Sequence, residues 1–302
     1  MLDLRRLRLL YELHERGTIA AVAGALRFTP SAVSQQLAVL ERETGVALLE
    51  RAGRGVRLTD AALVLVDHAA VLLERAEQAE SDLAAALGAP VGRARLAAFQ
   101  SVSLEIAAPA LASLADSAPD LRCELIEAEP EEALPALALG DVDLVLADEW
   151  PYQPRARPPG VDRRELLADP IRVALPADHP AAQADPDVVR LRDLAGEPWL
   201  SSDPGMGWNE VTTRTCRDRG GFEPDIRHRT NDAIVGLSLV AHGLAVMLIP
   251  ELAVSSHPGV AIRGIAGVSL ERRVFAATRT ADARRPSVRA LLDAVSARAA
   301  DA

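Results

Sequence analysis

The chain has 302 residues, of which 49% are hydrophobic, and a formal net charge of −10. This length allows two or three compact units with their own cores, and the hydrophobic content excludes a disordered chain. The acidic total argues against a uniformly basic nucleic-acid-binding surface, but residues 1–60 carry nine Arg and only seven acidic residues, so the negative excess lies in the rest of the chain.

The first part of the chain predicts a pair of short helices joined by a tight turn, within residues 18–43. Thr18 is a good N-cap for the first of them, and Thr29 is a good N-cap for the second. Pro30 fits the first turn of the second helix because its missing N–H is not needed there. An earlier helix is expected to pack against the pair through an apolar stripe of Leu4, Leu7 and Tyr11.

The second helix of the pair has two contrasting faces. Its apolar residues Val33, Leu37 and Leu40 share one inward stripe. The helical wheel then places small and polar side chains outside, namely Ser31, Gln35, Ala38 and Arg42, with Ser34 on the flank. A helix of this kind suits insertion into the major groove of DNA, where short side chains and amides reach base edges.

Two short extended runs follow, at residues 46–51 and 56–59, around Ala52-Gly53-Arg54-Gly55. They predict a β-hairpin with an arginine at its tip. Arg54 is thus placed to enter a minor groove or to meet a phosphate, with Arg51 beside it. A helix-turn-helix followed by a basic wing is a more specific signal than either part alone.

The segments LDLRRLRLLYELHERGTIAAVAGAL, TPSAVSQQLAVLERETGVALLER and RGVRLTDA resemble the DNA-binding end of the LysR-type transcriptional regulators. The resemblance implies that residues 29–35 read bases and phosphates and that Arg54 works in the wing. Gln35 stands where many relatives carry arginine, which predicts a weaker or differently specific contact. The candidate DNA-binding residues are Thr29, Pro30, Ser31, Ser34, Gln35, Arg42, Arg51 and Arg54.

A long helix is predicted from about Asp60 to Leu87, where Gly88-Ala89-Pro90 ends it. Apolar residues recur along it at alternating spacings of about four and three, as in a coiled-coil seam. The alternative is a helix lying on the core of its own domain. We favour self-association because the apolar residues of the seam would otherwise be exposed to water. The candidate dimerisation residues are Leu65, Ala69, Leu72, Ala76, Ala79 and Leu83.

From Gly92 onward short apolar runs alternate with helical patterns, which predicts a parallel sheet flanked by helices. A second unit of the same kind follows a proline-rich loop, and it includes a helix predicted at residues 189–195. The last strand and helix, at residues 273–278 and 286–299, look like a return to the first unit. The predicted domains are a winged helix-turn-helix (1–59), a linker and dimerisation helix (60–88) and an effector-binding domain (92–302).

The phrases LRDLAGEPWL and AHGLAVMLIPELA are similar to the effector domain of the same family. The resemblance implies an α/β chain whose C-terminal domain is two-lobed and periplasmic-binding-protein-like. Lobe 1 would comprise residues 92–162 and 268–302, and lobe 2 residues 165–265. Two crossovers, near residues 162–165 and 265–268, would act as the hinge.

In open α/β sheets ligands bind at the carboxyl ends of strands, beside helix N-termini. Polar turns at such positions are expected to line the cleft between the lobes, although Ser, Thr, Asn and Asp at helix starts are also ordinary caps. Asp203 and Asp232, if they face inward, would disfavour a dianionic effector. The candidate effector-binding residues are Ser101, Val102, Ser103, Ser201, Ser202, Asp203, Trp208, Thr230 and Asn231.

Cys123 and Cys216 are far apart and suggest neither a zinc site nor a local redox pair. The six histidines show no HExxH-type pairing, so no metal is expected. No GxSxG, Walker or Rossmann motif is present, so neither catalysis nor a cofactor is expected. The N-terminus lacks the apolar core of a signal peptide, which predicts a cytoplasmic protein.

The sequence therefore predicts a cytoplasmic, sequence-specific DNA-binding transcriptional regulator controlled by an unknown small-molecule effector. Its expected partners are double-stranded DNA, the effector and further copies of the chain in a homodimer or homotetramer, with no membrane. One alternative is a small-molecule-binding protein or enzyme whose helical N-terminus does not bind DNA. Another is a regulator switched by oxidation of Cys123 and Cys216.

Overall fold

The computed structural model describes residues 2–26, 28–52, 55–88, 90–254 and 257–302. Its contacts separate two compact units, one of Met1–Gly88 with Ala281–Arg285 and the other of Ala89–Thr280 with Pro286–Ala302. In the described part of the chain, no helix has the length and apolar content needed to cross a membrane.

The first unit is a winged helix-turn-helix followed by a long helix. Its elements are α1 (Leu4–Arg16), α2 (Ile19–Leu26), α3 (Pro30–Thr44), β1 (Leu49–Ala52), β2 (Gly55–Leu58) and α4 (Asp60–Leu87). Strands β1 and β2 pair as an antiparallel hairpin. The order and position of these elements agree with the sequence expectation.

Capping residues set both ends of α3, and those at its start were predicted from the sequence. The Thr29 side chain accepts a hydrogen bond from the Ala32 N–H at 3.2 Å, and Pro30 occupies the first turn. Gly45 ends the helix with a φ of 72°, a left-handed conformation that favours glycine. The predicted inward stripe of α3 is fully buried in a core that it shares with α1, the wing and α4.

The second unit begins with lobe 1, which contains most of one large mixed sheet. Its strands are ordered β4 (Leu121–Glu127), β3 (Gly92–Ala98), β5 (Leu144–Glu149), β12 (Glu271–Arg279) and the first half of β6 (Val161–Pro176). Strands β3, β4 and β5 are parallel, whereas β12 runs antiparallel to both β5 and β6. Flanking this sheet are α5 (Gln100–Val102), a π-helical turn (Ser103–Ala107), α6 (Ala108–Ser117), α7 (Pro130–Ala138) and α11 (Pro286–Asp301).

Lobe 2 is built on the second half of β6. There β6 pairs antiparallel with β10 (Met247–Pro250) and β11 (Val260–Ile265), and β7 (Val188–Val189) pairs parallel with β11. A separate parallel pair is formed by β8 (Pro198–Ser201) and β9 (Asp225–Arg229). The helices are α8 (Pro180–Ala184), α9 (Gly207–Thr215), a π-helical turn (Cys216–Gly220) and α10 (Ala233–Ala241), and 3-10 turns lie at Leu191–Leu194 and Glu251–Ala253. A further 3-10 turn, Thr280–Asp282, follows β12 of lobe 1.

Two sequence expectations differ from this architecture. The helix expected at residues 189–195 is only a 3-10 turn, Leu191–Leu194, whose two leucines are buried in the lobe 2 core. The crossover expected near residues 162–165 falls inside β6, which is continuous, because Glu165 still pairs with Phe275 of lobe 1. The partners of β6 change at Pro170 and Ile171, so the first link between the lobes is an unbroken strand.

Candidate functional site

The outer face of α3 is exposed and largely without partners. Ser31, Gln35 and Arg42 lie at the surface, and within the described residues Gln35 and Arg42 make no side-chain hydrogen bond or ion pair. Ser34 donates its hydroxyl to the Pro30 carbonyl of its own helix at 2.9 Å. The amide and guanidinium groups on this face are therefore free to contact another molecule.

Neighbouring polar residues on α3 hold the helix in place instead. Arg6 of α1 donates to Gln36 at 3.1 Å and pairs with Glu43 at 2.6 Å. The Glu41 carboxylate accepts the backbone N–H groups of Leu48 and Leu49 at 2.8 and 3.0 Å, which fixes the start of the wing to the helix. These contacts fix the position of α3 relative to α1 and the wing, and thereby the position of its outer face.

The wing contributes two described arginines, Arg51 and Arg57, to the same unit. Arg51 is exposed on β1, and its neighbour Glu50 forms an ion pair across the hairpin with Arg57. Arg54, the predicted tip residue, lies outside the described residues.

In the long helix α4, part of the predicted dimerisation seam faces the core of the first unit instead of solvent. Ala69 is fully buried and Leu65 packs against the first unit's own core, since the start of α4 lies on α1. Leu72 and Leu83 are exposed by 42% and 71%, and Ala79 is also exposed. Val64 and Val71 are also exposed, on a face about a quarter turn of the helix away from Leu72 that the sequence pattern did not include.

A cleft lies between the two lobes of the second unit. It holds about 590 Å³ of empty space, solvent at its mouth included, but the centre of a water molecule can reach only about 60 Å³ of it. Its walls are therefore close together. From lobe 1 it is lined by Phe99, Gln100, Ser101, Glu129, Glu131, Asp148, Trp150, Arg155 and Arg272, and from lobe 2 by Met206, Gly207, Trp208, Asn231, Ala233, Ile249, Pro250 and Ala253.

Arg272 forms the charged floor of this cleft. Its side chain is only 4% exposed and donates to Asp169 at 2.5 and 3.2 Å, to Ser101 at 3.1 Å and to Asp148 at 3.4 Å. The guanidinium also lies over the rings of Phe99 and Trp150, at 4.9 and 5.3 Å from their centroids. A buried charge needs such partners because water cannot solvate it.

Arg155 binds the other side of Asp148. It donates from Nε to the Asp148 carbonyl at 2.5 Å and from Nη2 to the carboxylates of Asp148 and Glu131 at 3.3 and 2.9 Å. Burial nevertheless raises the pKa of Asp148 above its ordinary value, an effect that Arg272 and Arg155 oppose.

Among the described contacts between the lobes, three involve residues that line the cleft. The Asn231 amide donates to Glu129 at 2.7 Å, and the Ala233 N–H donates to the Gln100 side chain at 3.3 Å. At Gly207 the α9 backbone approaches Trp150 so closely that a Cβ would lie 2.3 Å from the indole ring, which explains the glycine at that position.

Two family models match this chain. The LysR substrate binding domain matches residues 87–300, and the bacterial regulatory helix-turn-helix protein of the lysR family matches residues 4–63. The chain belongs to the LysR family of transcriptional regulators.

Relatives of this LysR-family regulator match along most of their length. The probable HTH-type transcriptional regulator LrrA of Synechococcus elongatus is 28% identical, covering 97% of this chain and 96% of that protein. MetR of Escherichia coli is 26% identical, covering 97% and 89%. A full-length OxyR variant of Pseudomonas aeruginosa superposes with a TM-score of 0.70 at 22% identity, and CbnR complexed with its target DNA with a TM-score of 0.56 at 23% identity. These alignments cover 98% of both chains for OxyR and 99% and 100% for CbnR.

Of the nine candidate effector residues of the LysR-family domain, the cleft is lined by Ser101, Trp208 and Asn231. Val102 is wrong as a cleft residue, because it is fully buried in the lobe 1 core. The remaining five lie outside the cleft lining: Ser103, Ser201, Ser202, Asp203 and Thr230.

Most of these five have local roles. Ser103 donates to the Ala98 carbonyl at 3.0 Å, and Ser201 donates to Thr212 at 3.2 Å. Ser202 accepts the Asn209 N–H at 3.0 Å, and Thr230 accepts the Asp232 N–H at 3.0 Å. Four of these five polar residues therefore have hydrogen-bond partners within the protein itself.

The two aspartates considered for the cleft do not line it. Asp203 is exposed outside the cleft, and Asp232 caps α10 by accepting the Ile234 N–H at 2.8 Å. Glu129, Glu131 and Asp148 supply the carboxylates instead. The position of Glu129 at a strand-to-helix turn after β4 was the available signal for at least one of them.

The two cysteines show no features of a redox switch in this structure. Cys216 is buried, and burial together with the nearby Glu223 raises the pKa of its thiol to about 12. Burial also raises the pKa of Cys123. Both thiols stay protonated at neutral pH, and the protonated form is the unreactive one.

Proposed function

We propose that this LysR-family regulator reads double-stranded DNA with the outer face at the start of α3, and that a small-molecule effector in the interlobe cleft alters this binding. The observation that carries the DNA part is the exposed, unbonded polar face of a helix held rigidly by its neighbours. Specific readout requires polar side chains that are free to meet base edges on a rigid support.

The residues divide by the contact that their chemistry favours. Gln35 carries an amide that can pair with adenine in the major groove, and Arg42 and Arg51 suit phosphates or guanine. Thr29, Pro30 and Ser31 form the N-terminus of α3, where the positive end of the helix dipole favours a phosphate of the duplex. The small positive charge of residues 1–60 favours groove contacts and paired subunits over non-specific attraction.

Self-association is proposed through the exposed apolar stripe of α4. Beside it lies an open groove lined by α1, α3 and α4, where Leu4 and Phe28 are exposed by 43% and 55%. An apolar surface of this kind on a soluble unit is stabilised by a partner. A second copy is the natural partner, because a two-fold protein binds a two-fold DNA site.

The effector part of the proposal rests on the cleft. An effector that favours one separation of the lobes shifts the population toward it, provided that it binds the two arrangements with different affinity. The continuous strand β6 and the contacts of Gln100 and Glu129 with lobe 2 are the connections that would carry this change.

The DNA proposal is tested by Gln35→Ala in binding assays against a library of operator variants. We expect a loss of about 1–3 kcal/mol confined to one or two base positions. Gln36→Ala is the matched control, because the Gln36 amide is already bonded to Arg6 and should not change base preference. An equal loss on all sequences would assign Gln35 to a phosphate, and no loss on any duplex would reject the α3 face as the reader.

The self-association proposal is tested by Leu72→Glu with Leu83→Glu. Charges in the stripe should separate the subunits and weaken operator binding, because carboxylates cannot be buried there without partners. Leu63→Glu is the control, since Leu63 is similarly exposed but lies on the opposite side of α4 from Leu72. Sedimentation equilibrium measures the mass, and an unchanged mass in the double variant would exclude this stripe as the interface.

A further inference from the structure

The interlobe cleft contains more carboxylates than cationic groups. Glu129, Glu131 and Asp148 line it, and Asp169 lies directly behind Arg272. Against these four carboxylates stand two guanidinium groups, those of Arg155 and Arg272. The cleft therefore has a negative excess at neutral pH, provided that its carboxylates are ionised.

Neither guanidinium is left free for an anionic ligand. Arg272 donates to Asp169, Asp148 and Ser101, and it is almost completely buried. Arg155 donates to Glu131 and to Asp148. An anion would have to displace these internal carboxylates and would leave them without their partners, which is costly in a narrow, poorly hydrated space.

Glu129 is the carboxylate without a cationic partner. Among the described residues, no basic side chain lies within 4.0 Å of it, and its recorded side-chain partner is the neutral amide of Asn231 at 2.7 Å. Burial raises the pKa of Glu129 to about 7, and repulsion from Asp148 and Glu131 adds to this effect while Arg272 opposes it. The site therefore disfavours an isolated negative charge at Glu129 and would be stabilised by an added positive one.

The walls beside Glu129 also favour a cation. Phe99, Trp150 and Trp208 line the cleft, and aromatic faces attract positive charge. The existing contacts of Arg272 with Phe99 and Trp150 show that two of these rings already accept a cation.

We propose that the effector of this cleft carries a protonated amine or a similar small organic cation, for which Glu129 is the counter-ion. This inference rests on the proposed effector function of the cleft: the cleft defines the site, and the carboxylates define the charge of its ligand. Because the cation prefers the ionised form of Glu129, its affinity falls about tenfold for each pH unit below 7.

The first experiment compares three probes of equal chain length with the full-length protein at pH 8. These are 1,4-diaminobutane, butane-1,4-diol and succinate, each up to 10 mM, and the readout is the thermal transition of the second unit. We expect the diamine alone to raise the Tm. Glu129→Gln keeps the hydrogen-bond acceptor for Asn231 but removes the charge, and it should weaken diamine binding at least tenfold. Glu132→Gln is the control, because Glu132 lies three positions after Glu129 in the first turn of α7, exposed and outside the cleft lining.

Stabilisation by succinate, or equal diamine binding to Glu129→Gln, would overturn the inference and leave the effector site in place. If none of the probes acts, a low-molecular-mass extract of the source organism is separated by ion exchange at pH 7. A fraction retained by the cation exchanger that changes Tm and operator binding supports the inference, and activity in any other fraction overturns it. If no fraction changes either quantity, the effector function itself fails together with the inference.

Discussion

The outer face of α3 and the interlobe cleft use polar side chains in opposite ways. On α3, Gln35 and Arg42 make no side-chain hydrogen bond or ion pair within the described residues. In the cleft, Arg272 alone donates to three side chains, and Arg155 and Glu129 bond to others. The first surface is free to meet a long polymer, whereas the second is a pre-organised enclosure in which a ligand must compete with internal bonds.

This difference separates the polar residues that stabilise the fold from those that are available for recognition. Polar groups that are already paired in a buried network contribute to the fold, and losing one exposes the others to a desolvation penalty. Polar groups that face water without partners contribute little to the fold and remain available for binding.

The largest effect is expected for Arg272→Met. The substitution keeps an unbranched side chain but leaves Asp169 and Asp148 buried without their cation, so we expect the second unit to lose about 3–5 kcal/mol of unfolding free energy. Arg273→Met, at the adjacent exposed position of β12, should change it by less than about 0.5 kcal/mol. Urea denaturation followed by circular dichroism measures both. A loss below about 1 kcal/mol in Arg272→Met would show that the network is not structural.

The α3 face could be predicted from the sequence because helix periodicity and capping are local. Thr29 and Pro30 mark the start of the helix, and the buried stripe of Val33, Leu37 and Leu40 determines by geometry which residues lie outside. The same locality explains why most element positions were predicted within a few residues. The α4 seam was only partly predictable, because periodicity does not reveal that Leu65 and Ala69 face the unit's own core.

The cleft could not be predicted in this way because its contacts are distant in sequence. Arg272 is separated from Asp169 by 103 positions and from Asp148 by 124. Their meeting depends on β12 lying between β5 and β6, a strand order that no local pattern determines. Polar turns such as Ser201-Ser202 look like ligand sites from sequence, but a cap and a ligand contact need the same residue types.

The next effect in size is the pH dependence of Glu129→Gln. The pKa of Glu129 is raised from 4.5 to about 7 in the fold, chiefly by burial and then by Asp148 and Glu131. The folded chain thus binds more protons than the unfolded one between these values, so Glu129 makes stability fall as the pH rises through this window. The glutamine variant lacks this loss and should be more stable than the parent at pH 8 by on the order of 1 kcal/mol, or about 2–4 °C, after discounting for partial exposure.

At pH 5 the difference should be much smaller, because pH 5 lies just above the unfolded pKa of 4.5 and most of the loss develops between there and the folded pKa of about 7. Asp148, whose pKa is also raised, contributes in the same direction to both proteins and largely cancels. Glu132→Gln should show no comparable trend. Differential scanning calorimetry at pH 5 and pH 8 measures the effect, and a variant less stable than the parent at pH 8 would mean that the charge of Glu129 is favourable where it stands.

The smallest effect is expected for Gln35→Ala and Arg42→Ala in the absence of DNA. Because neither side chain has a partner in the described structure, each substitution should change the unfolding free energy of the first unit by less than about 0.5 kcal/mol. Alanine is also the better helix former, so the sign can be slightly stabilising. A residue whose substitution lowers the affinity for DNA but not the stability is present for recognition. Chemical denaturation, carried out beside the operator-binding assay, distinguishes the effect on stability from the effect on DNA binding. Destabilisation by about 1 kcal/mol or more would place these side chains in the same structural category as Arg272 and remove the contrast between the two surfaces.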